Sequence, residues 1–116
     1  MTEPSRAYRA PRCALYRDGA VLRLIGDIDL ANRAQVGDRV AAEVGAGVVT
    51  LDLTDVHYFG AAGIQVVLHG YEARPPGATL DVRCAPAVFR VMRISGLVDA
   101  PELVVTEHGG LGGAGR

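Results

Sequence analysis

The sequence predicts a single α/β domain with a mostly parallel sheet, an opening antiparallel hairpin and crossover helices. Two observations carry that expectation. Three helix-sized amphipathic segments alternate with short apolar runs of strand length, a pattern that implies right-handed βαβ crossovers. Ahead of them, Asp18-Gly19 sits between two apolar stretches as a two-residue hairpin signal.

Each element follows from local chemistry. Residues 1–11 contain Pro4 and Pro11 with no periodic apolar pattern, and read as a flexible arm. Residues 13–16 and 21–25 are the two strands of the hairpin. Residues 32–44 have helical spacing, with Val36, Val40 and Val44 on one stripe and Ala41 beside them. Asn32 with Gln35 resembles a capping box, and Gly45 and Gly47 end the helix. Residues 48–53 are a near-continuous aliphatic run, as suits a covered strand.

A second helix over 61–71 places Ile64, Val67, Leu68 and Tyr71 on one face, and Arg74-Pro75-Pro76-Gly77 breaks it. Residues 79–84 alternate, with Leu80, Val82 and Cys84 pointing one way. Pro86 opens a third helix carrying Val88, Phe89, Val91 and Met92, and Gly96 ends it. Residues 103–106 are a last strand, and the Gly-rich 108–116 tail is expected to be disordered. The predicted order is ββαβαβαβ, with the domain over 12–107 and no internal repeat.

Composition narrows the function. At 116 residues, 49% hydrophobic and 22% charged, the chain is an ordinary globular domain. Its net charge of −1 gives no pull toward nucleic acid or an anionic membrane. All 12 basic residues are arginine, consistent with the codon bias of a GC-rich bacterial genome. No stretch reads as a signal peptide or approaches the ~20 apolar residues of a membrane span. Cys13 and Cys84 fit no metal-ligand spacing and read as reduced structural thiols, which together with the missing signal peptide points to the cytoplasm.

Catalytic residues are scarce. The two serines are Ser5, in the arm, and Ser95, at the end of the third helix. His57 reads as structural or exposed, and His69 and His108 match no ligand spacing. Gly60-Ala61-Ala62-Gly63 lacks the Lys and Ser/Thr of a phosphate loop, so no cofactor or metal is expected. Its glycines have a steric reading: Gly60 permits an unusual backbone angle and Gly63 close helix–strand packing. The loop Gly26-Asp27-Ile28-Asp29-Leu30 should open at the same carboxyl edge of the sheet, where open α/β sheets bind ligands. The plain structural reading there is that Asp29 caps the first helix and Asp27 is solvated. Arg90 and Arg93 read as a solvated face.

With both loops placed, the chain resembles a STAS domain, the fold of bacterial anti-sigma factor antagonists. The resemblance covers about residues 13–106 and rests on an ordered set. Its pieces are Leu24-Ile25-Gly26-Asp27-Ile28-Asp29, Val48-Val49-Thr50-Leu51-Asp52-Leu53, Tyr58-Phe59-Gly60-Ala61-Ala62-Gly63-Ile64, and Ala87 through Leu97. In that family the turn usually reads Asp-Ser-Ser-Gly or Asp-Ser-x-Gly. The phosphorylated Ser falls at Ala62, the preceding Ser at Ala61 and the acidic residue at Gly60, while Gly63 is kept.

The resemblance implies a transcription-regulating, non-enzymatic binding module. Its partner is an anti-sigma factor of the kinase-like ATPase type, and a homodimer is left open. The expected interface is Asp29, Asn32, Tyr58, Gly60, Ala61, Ala62 and Gly63, with the exposed face of the second helix. Ala62 has no oxygen to accept phosphate, so phosphorylation is not expected at that position. One alternative is an accessory subunit of a transport ATPase or a stress-complex scaffold. The other is a nucleotide or small-anion sensor at the helix start, aided by Arg23 or Arg33.

Overall fold

Six strands form one mixed sheet in sequence order, β1-β2-β3-β4-β5-β6, because every connection moves the chain one place across. The computed structural model describes residues 6–109. Its strands are β1 (Arg6–Ala10), β2 (Cys13–Asp18), β3 (Val21–Asp27), β4 (Thr50–Tyr58), β5 (Leu80–Cys84) and β6 (Leu103–Glu107). The helices are α1 (Arg33–Gly45), α2 (Gly60–Ala73) and α3 (Pro86–Ile94), followed by a short 3₁₀ turn, Leu97–Asp99. The first three strands are antiparallel neighbours and the remaining pairings are parallel.

Since β3 to β6 step in one direction and such crossovers are right-handed, all three helices cover the same sheet face. Leu15, Leu22, Leu24, Leu51, Leu53, Leu80 and Val82 point into that face and are essentially inaccessible. Val36, Val40 and Val44 of α1 and Val66 and Val67 of α2 close the core from above. Deletion of any one of these side chains removes roughly 1.5–3 kcal/mol of burial before any cavity term. The opposite face is polar: Tyr16, Arg23, Asp52 and Arg83 align across β2 to β5, and Arg23 pairs with Asp55.

The structure corrects the sequence reading at four places. Residues 6–10 are not a flexible arm but a strand paired to β2 over Arg6↔Arg17 to Ala10↔Cys13. Ala10 is buried, and the Tyr8 ring lies 4.9 Å beneath the Arg39 guanidinium. The chain therefore opens with a three-stranded meander, and the order is βββαβαβαβ. Residues 1–5 of the expected arm and residues 110–116 of the expected Gly-rich tail lie outside the described residues. The capping box is absent, because the Asn32 side chain makes no cap to α1. On α2 the deepest stripe is Ala62, Gly63, Val66, Val67 and Gly70, with Ile64, Leu68 and Tyr71 flanking it. Finally, β4 runs on to Tyr58, past the end of its pairing with β5 at Leu53, and stays paired to β3 alone through register shifts.

The β1–β2 connection is the two-residue turn Pro11-Arg12. Pro11 fixes its own φ negative, and Arg12 takes φ 68°. For a side chain other than Gly, Asn or Asp that left-handed geometry costs roughly 1–2 kcal/mol. Exposed ion pairs, worth about 0–1 kcal/mol each, barely offset it.

Candidate functional site

The carboxyl ends of β3 and β4 lie side by side, with Asp27 opposite Tyr58. The Ile28 N–H donates to the Tyr58 carbonyl at 2.8 Å, and the Ile28 side chain is fully buried beneath the loop. Gly26 makes the bend at φ 119°, and a Cβ there would sit 2.3 Å from the Arg12 carbonyl oxygen, so only glycine fits. That carbonyl accepts the Asp27 N–H at 2.8 Å, which ties the β1–β2 turn to the loop.

Asp29 organises the entry to α1. Its Oδ1 accepts the N–H groups of Ala31 and Asn32, both at 3.0 Å, in the turn ahead of α1, whose N-cap position is Asn32. Asp29 thus shapes the approach to the helix where the sequence suggested a cap, and Asp27 is ion-paired to Arg12 where it was expected to be solvated. Arg12 bridges the two acids, with Nη2 3.0 Å from Asp27 Oδ2 and Nε 3.3 Å from Asp29 Oδ2. Asn32 is fully buried. Its Oδ1 accepts the Asp29 N–H at 2.9 Å, and its Nδ2 donates to Pro11 O at 2.6 Å and Asp27 O at 2.8 Å.

The second half of the site is the β4–α2 turn. Phe59 is buried, and its carbonyl accepts the Gly63 N–H at 2.7 Å to start the helix. A Cβ on Gly63 would lie 2.2 Å from Phe59 Cδ1, so the phenyl ring packs in the space that glycine leaves. Ala62 is only 5% exposed and faces inward, whereas Ala61 is exposed. The Tyr58 ring stands over Gly60 and is 58% exposed.

Between the two halves lies a groove of about 450 Å³ lined by Asp29, Leu30, Ala31, Tyr58, Ala61 and Ala62. Leu30, 74% exposed, forms one wall and Tyr58 the other. The polar side-chain groups of this lining are the Tyr58 hydroxyl and the Asp29 carboxylate, the latter already held by Arg12. Such a surface suits an apolar side chain or helix face better than an anion.

Four of the expected residues, Asp29, Tyr58, Ala61 and Ala62, meet around the groove, with Gly60 beneath Tyr58. Gly63 is buried behind Phe59, and Asn32 is withdrawn from the surface altogether. Asn32 therefore shapes the loop from within. Sequence reasoning missed Leu30, Ala31 and Arg12; the signal for Leu30 was an aliphatic residue stranded between a strand and a helix, outside either periodicity. Arg23 is paired to Asp55 and Arg33 to Gln65, so neither lines the groove. The Thr54 hydroxyl donates to Asp52 Oδ1 at 2.6 Å. Among the described residues no group of three or more His, Cys, Asp or Glu could hold a metal ion, and no helix is long and apolar enough to cross a membrane.

Residues 13–106 match the family model described as Mlab, STAS domain. The chain belongs to the STAS-domain family. A crystal structure of an anti-sigma factor antagonist from Mycobacterium paratuberculosis matches this STAS chain with a TM-score of 0.63. It is 20% identical over 90% of either chain, a likeness that shows the shared fold. No curated protein matches the sequence. The match spans the ordered motifs on which the resemblance rests, from the β2–β3 hairpin through β6.

Proposed function

We propose that this STAS domain is a non-catalytic antagonist of a kinase-fold anti-sigma factor, and that it docks through the groove between Leu30 and Tyr58. The observation that supports this reading is the groove itself. Two of the five large hydrophobic side chains exposed among the described residues face each other across the strand-to-helix turn at which the family binds partners. Small residues at 60, 61 and 62 keep the floor low enough for a partner backbone to approach. Ala62 carries no hydroxyl, so binding does not depend on the phosphorylation state of this turn.

The test is calorimetric titration of purified kinase-fold anti-sigma factors encoded by the source organism against wild type and Ala61→Asp. Ala61 is the better probe than Ala62, because a carboxylate at the buried position 62 would perturb folding as well as docking. An aspartate in the first turn of α2 complements the helix dipole, so the fold is expected to keep its stability. Affinity is expected to fall about tenfold or more, because the charge is desolvated against an apolar partner. Unchanged affinity would place docking elsewhere on the domain.

The STAS-domain match is equally compatible with the second reading that the resemblance leaves open, an accessory subunit of a transport ATPase. Titration against the ATPase subunits of the same organism separates the two: binding there, with no anti-sigma factor bound, would replace the first reading.

A further inference from the structure

We propose that Arg12 is a positioning residue for the docking groove: by bridging Asp27 and Asp29 it holds the 27–32 loop so that Leu30 stands over the groove, and it neutralises the rim for an apolar partner. The proposal rests on the groove reading above and names what that reading leaves open, the residue that sets the shape and charge of one wall.

The geometry points to the side chain rather than the backbone. The turn needs a residue at φ 68°, which glycine meets at no cost and arginine does not. The backbone ties from this turn to the loop, Arg12 O to Asp27 N–H and Pro11 O to Asn32 Nδ2, need no particular side chain at 12. What arginine adds is the pair of contacts to Asp27 Oδ2 and Asp29 Oδ2. The second of these fixes the Asp29 carboxylate while its Oδ1 receives the Ala31 and Asn32 amides, the two N–H groups that define the bend carrying Leu30. The Arg12 side chain is 65% exposed, so these contacts are weak as global stabilisers and act on the local order of the loop. They also leave no bare carboxylate facing the groove, which matches its otherwise apolar lining.

The prediction is a divergence between stability and docking. Wild type, Arg12→Gly and Arg12→Lys are compared by thermal melting, by amide hydrogen exchange at Ala31 and Asn32, and by titration with the anti-sigma factor that wild type binds. Arg12→Gly is expected to melt at the same temperature or higher, because the left-handed turn is relieved. Exchange at Ala31 and Asn32 should quicken and affinity should fall, each about fivefold, and Arg12→Lys should restore most of both. Parallel losses of melting temperature and affinity would reduce Arg12 to a structural role and overturn the proposal. Tighter binding by Arg12→Gly would also overturn it, since the rim would then be receiving a cation. If Ala61→Asp weakens binding and Arg12→Gly does not, this inference fails while the groove reading stands. If neither weakens it, the groove reading fails first.

Discussion

Asn32 shows how a polar residue next to a binding groove can be wholly structural. It has no accessible surface, and its amide joins three separate backbone segments: the β1–β2 turn, the end of β3 and the start of the Leu30 loop. Replacement by alanine strands two carbonyls and one N–H in a buried place. Asn32→Ala is expected to cost about 2–3 kcal/mol in urea denaturation, with docking lost only as far as the loop loses its order. The residue looked like a helix cap because its type and spacing suit one. One of its partners, the Pro11 carbonyl, comes from 21 residues away, a tertiary contact that no local pattern encodes.

At the scale of elements, α1 is anchored to the sheet by charge as well as by valines. Glu43 is 5% exposed and takes Arg17 Nη1 at 2.8 Å and Arg39 Nε at 3.0 Å, while Arg17 Nη2 reaches the Ala46 carbonyl at 3.2 Å. Arg39 in turn covers Tyr8, so one carboxylate links β1, β2 and α1. Glu43→Ala leaves Arg17 largely buried and without this partner, and is expected to cost about 3 kcal/mol by chemical denaturation, with early loss of protection in β1. The periodic elements were legible because packing obeys the pattern that advertises them: Val36-Val40-Val44 and Leu80-Val82-Cys84 are buried as written. β1 was not legible. Among its described side chains, those turned inward are Tyr8 and Ala10, and its turn carries arginine where the backbone would suit glycine or asparagine, so the usual punctuation is missing. The groove was half legible for a related reason. The small residues of the β4–α2 turn stand out in sequence, but the exposure of Leu30 depends on how Asp29 and Arg12 bend the loop.

For the molecule as a whole, one-sided helix cover leaves two buried thiols in the core and a charged sheet face in solvent. Burial pushes the Cys84 thiol from 9.0 up to about 12 and the Cys13 thiol up to about 11. Below about pH 9 both thiols are protonated in the folded and unfolded chains and add no pH dependence. Above it the unfolded chain releases protons that the folded chain retains, so stability should fall as pH rises toward 11 to 12. Urea melts across that range should show the decline, and a Cys13→Ala, Cys84→Ala double variant should flatten it. At about pH 8 neither thiol should react with a disulfide reagent until the domain unfolds.

The strictly sequential strand order has a consequence for how the domain can be rewired. β1 and β6 occupy opposite edges of the sheet, five strand spacings or about 24 Å apart, and β1 begins at the end of the sheet remote from the groove while β6 finishes at the groove end. The chain thus enters and leaves at diagonal corners. A circular permutant could not splice residue 107 to residue 6 directly; it needs a bridge of at least about eight extended residues. Laid across the polar face rather than over the helices, that bridge would leave the Leu30–Tyr58 groove open, and the new ends could then be cut into the exposed Pro75-Pro76-Gly77 turn.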